Sequence, residues 1–194
     1  MRNKMTWMRT FALFALIGLT FVSCRMDDDN FNELLPVEVT DVPGTYTGKA
    51  VAKQGQFSKT YLADFTASED AIAIKEFPMD EIVKAIVSDP IEAKKALEDL
   101  EAVPYTLGYT AELASSKKEV MLKLGAQSLQ FDLPVKGQTK SVVVHFKQEA
   151  AGSFYATEMG EELYLAFNAN KIEVDGVELA SNEEINYLFG GLKK

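Results

Sequence analysis

The sequence predicts a mainly β domain, a β-rich α+β fold in which an antiparallel meander forms a barrel or a sandwich. Three observations predict this fold. Apolar and polar residues alternate along most of residues 42–180, turn-forming residues separate these stretches, and one interruption at 78–100 has helical spacing instead. Alternation with a period of two is typical of strands that bury one face. Of all residues, 47% are hydrophobic, so the chain can form a core.

The first strands follow the start of the domain, which we place near Val42. Tyrosine, glycine and alanine alternate with threonine and lysine over residues 46–53, and a second alternation runs from Thr60 to Phe65. Asp175-Gly176 predicts a hairpin turn, because this dipeptide accepts the positive φ angles of a two-residue loop. The same alternation predicts further strands at 71–76, 105–113, 119–124, 128–133, 141–147, 154–157, 163–168, 171–174 and 177–179.

The interruption predicts a helical hairpin at residues 78–100, inserted between strands. Asp89 is placed to cap its second helix, and Pro90 suits the first turn because its missing N–H would have no partner there. Two groups of apolar residues have helical spacing: Met79, Ile82, Val83, Ile86 and Val87, then Ala93, Ala96, Leu97 and Leu100.

A short C-terminal helix is predicted after residue 180. Ser181 and the acidic residues that follow are typical of a helix start, and Ile185, Leu188 and Phe189 would form its apolar side. Gly190-Gly191 predicts its end.

An internal repeat is a further hypothesis. A shift of 59 residues aligns Tyr46-Thr47 with Tyr105-Thr106, and Tyr61–Ala67 with Val120–Ala126. Many β-meanders align with themselves to this degree, so chance similarity is the alternative to duplication. The single β-rich domain, residues 42–194, would contain two pseudo-repeats: 44–102 and 103–160.

Residues 1–23 predict a signal peptide. Arg2, Lys4 and Arg9 supply a positive start, and the uncharged apolar run Phe11–Val22 follows. A membrane-spanning anchor is the alternative, but such a helix needs about 20 apolar residues and this run is shorter.

The end of that run resembles a bacterial lipoprotein signal. Phe21-Val-Ser-Cys24 is similar to the lipobox, in which a small residue precedes a cysteine that is acylated and becomes the first residue. Phe21 stands where leucine is usual, so ordinary cleavage after Ser23 is the alternative. Cys24 is the only cysteine, which leaves none for a disulfide or a cysteine-based metal cluster.

Residues 24–41 predict an acidic tether and lead-in. Arg25-Met-Asp-Asp-Asp-Asn30 resembles the signal that marks surface-exposed lipoproteins of the Bacteroidetes. Residues 1–23 hold three of the 20 basic residues and none of the 29 acidic ones, so cleavage changes the net charge from −9 to −12. Such a surface repels polyanions. We therefore expect no nucleic-acid partner, and membrane attachment through the acyl chains alone.

Few residues offer catalytic chemistry. His145 is the sole histidine, and the alternation along 141–147 places it opposite Val142, Val144 and Phe146, which predicts a surface histidine rather than a general base. The sequence has no nucleophile elbow and no phosphate-binding loop, and we expect no catalytic residue, cofactor or metal. Acidic pairs such as Glu161-Glu162 and Glu183-Glu184 leave a carboxylate-based hydrolase as an alternative.

Small residues on the predicted strands allow two interpretations. They could line a cavity for an apolar ligand, as in small barrels, or make room for the helical hairpin. The only tryptophan, Trp7, lies in the signal peptide, which weakens a carbohydrate-binding prediction. The small residues are Gly48, Ala50, Ala52, Ala63 and Ala111.

Cys24, the acidic run and a β-domain that opens with Gly44-Thr-Tyr-Thr-Gly48 together resemble small uncharacterised outer-membrane lipoproteins of the Bacteroidetes, some of which have a calycin-like, or lipocalin-like, fold. The resemblance implies a lipid-anchored surface protein, more consistent with binding than catalysis. Its partner would be a small apolar molecule, a glycan or another envelope protein. The alternatives are an envelope scaffold protein that docks through the helical hairpin, and the carboxylate-based hydrolase.

Overall fold

The computed structural model describes residues 33–147, 150–180 and 183–194. This part of the chain contains eleven strands, two α-helices and one short 3-10 helix, which confirms the β-rich α+β class. The elements are the 3-10 helix Val39–Asp41, β1 Gly44–Gln54, β2 Phe57–Ala67, β3 Ala71–Ile74, α1 Asp80–Ile86, α2 Pro90–Asp99, β4 Tyr105–Leu113, β5 Val120–Gly125, β6 Leu129–Val135, β7 Gln138–Phe146, β8 Ala150–Thr157, β9 Gly160–Val174, β10 Val177–Glu178 and β11 Ile185–Lys193.

Eight of these strands close into a ring. Their order is β1-β2-β3-β4-β5-β8-β9-β11, and β11 returns to pair with β1. Every pair in the ring is antiparallel, and the ring follows chain order apart from the elements inserted between its strands. The predicted meander is therefore a closed barrel, in which each strand of the ring has partners on both edges.

The β6–β7 hairpin lies outside the ring. β5 pairs directly with β8, while β7 pairs with the last part of β9, beyond a register shift between His145 and Phe146. The first part of β9 pairs with β8 and β11. The strands predicted at 163–168 and 171–174 are thus one strand. In the described residues β6 pairs with β7 alone, so β6 is an edge strand.

The predicted helical hairpin is confirmed between β3 and β4. As expected, Asp89 caps α2 by accepting hydrogen bonds from the N–H groups of Ile91 (2.9 Å) and Glu92 (3.1 Å). α1 contacts β1 of the ring and α2 contacts β6. Neither helix of the described part is long and apolar enough to span a bilayer. The hairpin buries the side chains of Ile82, Val83, Ala93 and Ala96.

Residues ahead of β1 also pack on the barrel. Val37 and Val42 are buried, and the Val37 N–H donates to the Lys117 carbonyl at 2.9 Å. The Tyr46 hydroxyl donates to the Val42 carbonyl. These contacts tie the short 3-10 helix to the barrel next to the first residues of β1.

The prediction of a C-terminal helix is wrong, because Ile185–Lys193 form β11. The buried residues of this strand alternate, and its two neighbours β1 and β9 supply backbone partners along nearly its whole length. Tertiary pairing outweighs the local helix signal. The glycines taken for a helix end are instead close-approach positions: a Cβ on Gly191 would lie 2.8 Å from the Phe65 ring, and one on Gly190 would lie 2.8 Å from the Tyr164 ring.

The spacing behind the proposed repeat is present in the first two strands of each half. β1 and β2 correspond to β4 and β5 after the 59-residue shift. The third strands differ in pairing, since β3 joins β2 whereas β6 joins β7. Duplication stays a prediction.

Candidate functional site

The barrel interior is packed with side chains. Ala50 and Ala52 are fully buried, and their neighbours across β1 and β11 are Phe189 and Tyr187. Phe77, just before α1, packs its ring against those of Tyr105, Phe146, Phe167, Tyr187 and Phe189. The small residues of the strands therefore accommodate aromatic rings, one of which comes from the segment that leads into the helical hairpin. This favours the second interpretation of those residues over a ligand cavity.

A cleft of about 540 Å³ lies outside the barrel. We call it the β6 cleft, because one wall is the β6–β7 hairpin and the other is the segment between α2 and β4. This volume is within the usual range of ligand sites. Its lining residues are Asp99, Leu100, Glu101, Ala102, Val103, Pro104, Gln130, Phe131, Asp132, Pro134 and Thr139.

The hairpin turn fixes how β6 faces this cleft. Lys136 and Gly137 both have positive φ angles, 52° and 75°, as in a type I′ turn, and they connect the paired residues Val135 and Gln138. The closing pair of such a turn is hydrogen-bonded, and bonded and non-bonded pairs alternate from there. Odd-numbered residues of β6 therefore bond to β7. The backbone groups of Gln130, Asp132 and Pro134 point the other way, towards the free edge.

Two observations agree with this register. Ser141, the residue of β7 opposite Asp132, uses its N–H and C=O on Asp175, at 3.0 and 2.8 Å, on the side away from β6. Pro134 has no N–H, and proline is tolerated in a strand where that position faces a free edge. β6 thus presents unpaired backbone groups to the cleft.

The opposite wall is held by the core. α2 ends at Asp99, and Pro104 precedes β4. Between them Val103 is buried, and its carbonyl accepts a hydrogen bond of 2.9 Å from the Phe77 N–H. The wall is therefore anchored at one point while Asp99 and Glu101 remain exposed.

The charged side chains that line the cleft are all acidic. Asp99, Glu101 and Asp132 are exposed, and none of the lining residues is a lysine or arginine. Leu100, Val103 and Phe131 supply apolar surface to the same cleft. The arrangement suits a ligand that is cationic and partly apolar.

A smaller groove of about 190 Å³ lies between β2 and the helices. Tyr61 and Asp80 line it, and Lys59 forms an ion pair with Asp80 while its ammonium lies 4.9 Å from the centre of the Tyr61 ring. Burial and the Asp80 carboxylate raise the pKa of Tyr61 above its usual value. The groove is smaller than most ligand pockets, and the carboxylate of Asp80 is already paired with Lys59.

His145 has partners that the sequence did not indicate. Its Nδ1 lies 3.0 Å from the Ser128 hydroxyl, and its Nε2 lies 3.2 Å from Oε1 of Glu173, at ion-pair distance but without hydrogen-bond alignment. Lys171 lies 2.7 Å from the same carboxylate and 3.2 Å from Glu178. The Lys171 hydrogen bond lowers the pKa of Glu173. Because a lysine neutralises the carboxylate, we interpret this group as an ion-pair network that links β7 to β9 and β10.

One contact of this network, between Ser128 and His145, could have been found from the hairpin register. If Lys136-Gly137 is taken as a two-residue turn, Ser128 falls opposite His145. The alternation did predict that His145 faces away from the core, and its side chain is 35% exposed. The contribution of Glu173 depends on the pairing of β7 with β9, which local patterns do not reveal.

The acidic pairs singled out in the sequence are mostly engaged in structural contacts. Glu161 lies 2.7 Å from Lys193, Glu162 accepts from the Tyr164 hydroxyl at 2.6 Å, and Glu184 forms an ion pair with Lys147. Glu183 lies beside Gly55 at the β1–β2 turn. The described residues contain no group of three or more potential metal ligands.

An aromatic pair covers part of the outer barrel face. The rings of Tyr155 and Tyr164 stack with centroids 5.5 Å apart, and burial raises the pKa of Tyr155 to about 12. Glu119, at the start of the β5 region, is also partly buried, and burial raises the pKa of its carboxyl. Burial at this face therefore disfavours the charged form of the Glu119 carboxyl.

The predicted signal peptide, Cys24 and residues 25–30 lie outside the described residues. Lipidation at Cys24 therefore stays a prediction.

A protein-family model matches most of the chain. The family model described as a domain of unknown function, DUF4840, matches residues 41–174, from the short 3-10 helix to the end of β9. No curated protein and no solved structure matches the chain. The ring-closing strand β11 lies beyond the matched range.

Proposed function

From the premise that the chain belongs to the DUF4840 family of domains of unknown function, we propose that it is a lipid-anchored surface lipoprotein whose barrel binds a protein partner and catalyses no reaction. The β6 cleft is the observation that carries the binding part of this proposal.

The anchor rests on the first thirty residues. A positive start, the apolar run Phe11–Val22 and a single cysteine at Cys24 follow one another in the order of a lipoprotein signal. The acidic residues after Cys24 support exposure on the outer-membrane surface. The net charge of −12 after cleavage argues against direct adhesion of the domain to anionic lipid, so the acyl chains would provide the attachment.

Binding at the exterior is favoured because the interior is occupied. A carrier of small apolar molecules needs an enclosed space, and aromatic rings fill the barrel around Phe77. Docking through the helical hairpin needs an exposed apolar face. Ile82 and Ala93 are buried instead, and Ile91, which is 79% exposed, stands apart from that face. The β6 cleft combines apolar surface, charge and free backbone groups, which is what protein recognition uses.

Fatty-acid labelling tests the anchor. Cells that express the full chain are grown with radiolabelled palmitate and compared with a Cys24→Ala variant and a matched Ser23→Ala variant. We expect label in the wild type and in Ser23→Ala, and none in Cys24→Ala. Equal label in all three, or in none, would refute lipidation at Cys24.

Site-specific crosslinking in cells tests the binding site. A photoreactive amino acid replaces Thr139, which lines the cleft, or Lys49, which is exposed on the outer face of β1. We expect a discrete protein adduct from position 139 and none from position 49. The proposal fails if the two positions give the same products or if position 139 gives no adduct.

A further inference from the structure

We infer that the partner of the β6 cleft is an extended peptide segment with lysine or arginine side chains, which adds to the free edge of β6 as an extra strand. This deepens the proposed function and rests on it, since it names the chemistry of the partner at the same site.

The backbone of β6 supplies the first argument. The N–H groups of Gln130 and Asp132, and the carbonyls of Gln130, Asp132 and Pro134, point to the free edge by the register derived above. In the described part of the chain, hydrogen bonds outside the regular strands use none of these groups. An added strand would pair with them in the same way that β7 pairs with the other edge, as in peptide recognition by strand addition.

Pro134 sets the limit of this pairing. It removes the one edge donor nearest the turn, and proline is a common device against unwanted strand association. The donors for this pairing are therefore confined to Gln130 and Asp132, and Pro134 can contribute only its carbonyl. A short segment, rather than a long strand, fits this edge.

The charge of the cleft selects a basic segment. Asp99, Glu101 and Asp132 stand on both walls, and a strand between them would bring its side chains close to these carboxylates. Opposite charges across an interface steer association and discriminate between partners. The net charge of the chain, −9, has the same sign.

The apolar lining adds a second requirement. Successive side chains of a strand point to opposite faces. One face of the added strand would meet Phe131 and Val103, while the other would reach solvent and the exposed carboxylates. The structure therefore favours a segment in which apolar and basic residues alternate.

A second copy of this chain is the competing occupant. Antiparallel pairing of β6 with its own copy would bring two copies of Asp132 and Glu101 into the same cleft. Like charges so placed repel each other, which disfavours self-association.

The test measures peptide binding to the full-length lipoprotein purified in detergent. The probe is a fluorescent synthetic peptide of alternating lysine and valine, compared with one of alternating glutamate and valine, by fluorescence anisotropy. We expect saturable binding of the lysine peptide, weakened by salt, and none of the glutamate peptide. A lysine peptide whose alternate amides are N-methylated keeps its charge but loses strand pairing, and should bind at least about tenfold more weakly.

Protein variants test whether the lysine peptide binds at the β6 cleft. Asp132→Lys should weaken binding of the lysine peptide by roughly tenfold or more, whereas Glu112→Lys, which changes an exposed acid on β4, should leave it unchanged. Gln130→Pro removes an edge donor, and its thermal unfolding is recorded to show that the fold persists. If that variant does not fold, the N-methylated peptide still tests backbone pairing, because it removes hydrogen-bond donors from the peptide instead of from β6.

The outcomes separate this inference from the proposed function. Undiminished binding of the N-methylated peptide, equal effects of the two charge reversals, or no binding of the lysine peptide would overturn strand addition by a basic segment. A dimer in sedimentation that the peptide does not dissociate would assign the edge to a second copy and also overturn it. Adducts from position 139 in cells would sustain the broader proposal in any of these cases.

Discussion

The ring of Phe77 packs against the ring of Tyr187 with 4.7 Å between their centroids, and the Tyr187 hydroxyl lies 3.4 Å from the carbonyl of Pro78, the residue that follows Phe77. This pair joins the segment before α1 to the ring-closing strand β11. Tyr187 is fully buried, and burial raises the pKa of its hydroxyl far above the usual value, so the group stays neutral. Phe77 thereby connects the helical hairpin to the barrel core.

Phe77→Ala should lower the free energy of unfolding by about 3–5 kcal/mol, because it removes a buried ring and leaves a cavity among five aromatic neighbours. Urea denaturation measures the change. Phe57→Ala is the matched control, since that ring is 76% exposed and should cost little. Similar losses in both variants would contradict the role assigned to Phe77.

Gly48→Ala should destabilise the barrel by about 1–3 kcal/mol or more, because the new Cβ would collide with the Gly190 carbonyl and lie 2.7 Å from the Gly191 Cα. These atoms belong to the backbone of β11, so they cannot move aside as the end of a flexible side chain could. Gly125→Ala is the control, since its Cβ would lie 3.6 Å from the nearest atom, an ordinary contact. Thermal unfolding of the two variants should differ clearly, and equal midpoints would argue against tight β1–β11 packing.

Glu119→Gln should stabilise the protein near neutral pH and have no such effect at acidic pH. Burial raises the pKa of Glu119 in the folded state, so the folded protein loses stability as pH rises from the unfolded pKa through the folded pKa. The amide has no charge to desolvate and removes this loss. Urea denaturation at several pH values measures it, with Glu112→Gln as an exposed control. A gain that persists below the usual carboxyl pKa would show that charge burial is not its cause.

Asp89→Ala should cost about 1 kcal/mol, because the backbone N–H groups of Ile91 and Glu92 lose their acceptor at the start of α2. Asp89→Asn should retain most of the stability, since an amide oxygen also accepts. Glu98→Ala, which removes one exposed ion pair with Lys94, is the control and should change stability far less. Chemical denaturation compares the three, and a loss in Asp89→Asn as large as in Asp89→Ala would contradict the capping role.

Much of the fold could be predicted because its signals are local. Alternation located seven of the eight strands that form the ring, all except β11. The Asp175-Gly176 pair located the turn before β10, and Asp89 marked the start of α2. The prediction of a C-terminal helix failed because Ile185 and Phe189 fit a helical spacing as well as one face of a strand. Leu188, the third residue of the predicted helical face, lies on the other face of β11, and the neighbours β1 and β9 decide for the strand.

The candidate site could not be predicted for a related reason. Pro134 is a local sign that β6 is an edge strand, but it does not reveal what lies beside that edge. The edge is exposed because β5 pairs with β8 and bypasses β6. Asp99, Glu101 and Asp132 come together only when the segment after α2 lies beside that edge. Strand order, which depends on the whole chain, determines the cleft.

The pairing of β1 with β11 also determines when the barrel can form. The ring has no closing partner until β11 has been synthesised, so any nascent chain that ends before β11 leaves β1 and β9 with open strand edges. Pairing between residues far apart in the sequence is slow to form, because the intervening chain must first be closed into a loop. Sequence order along the ring therefore postpones closure of the barrel until its last strand is available.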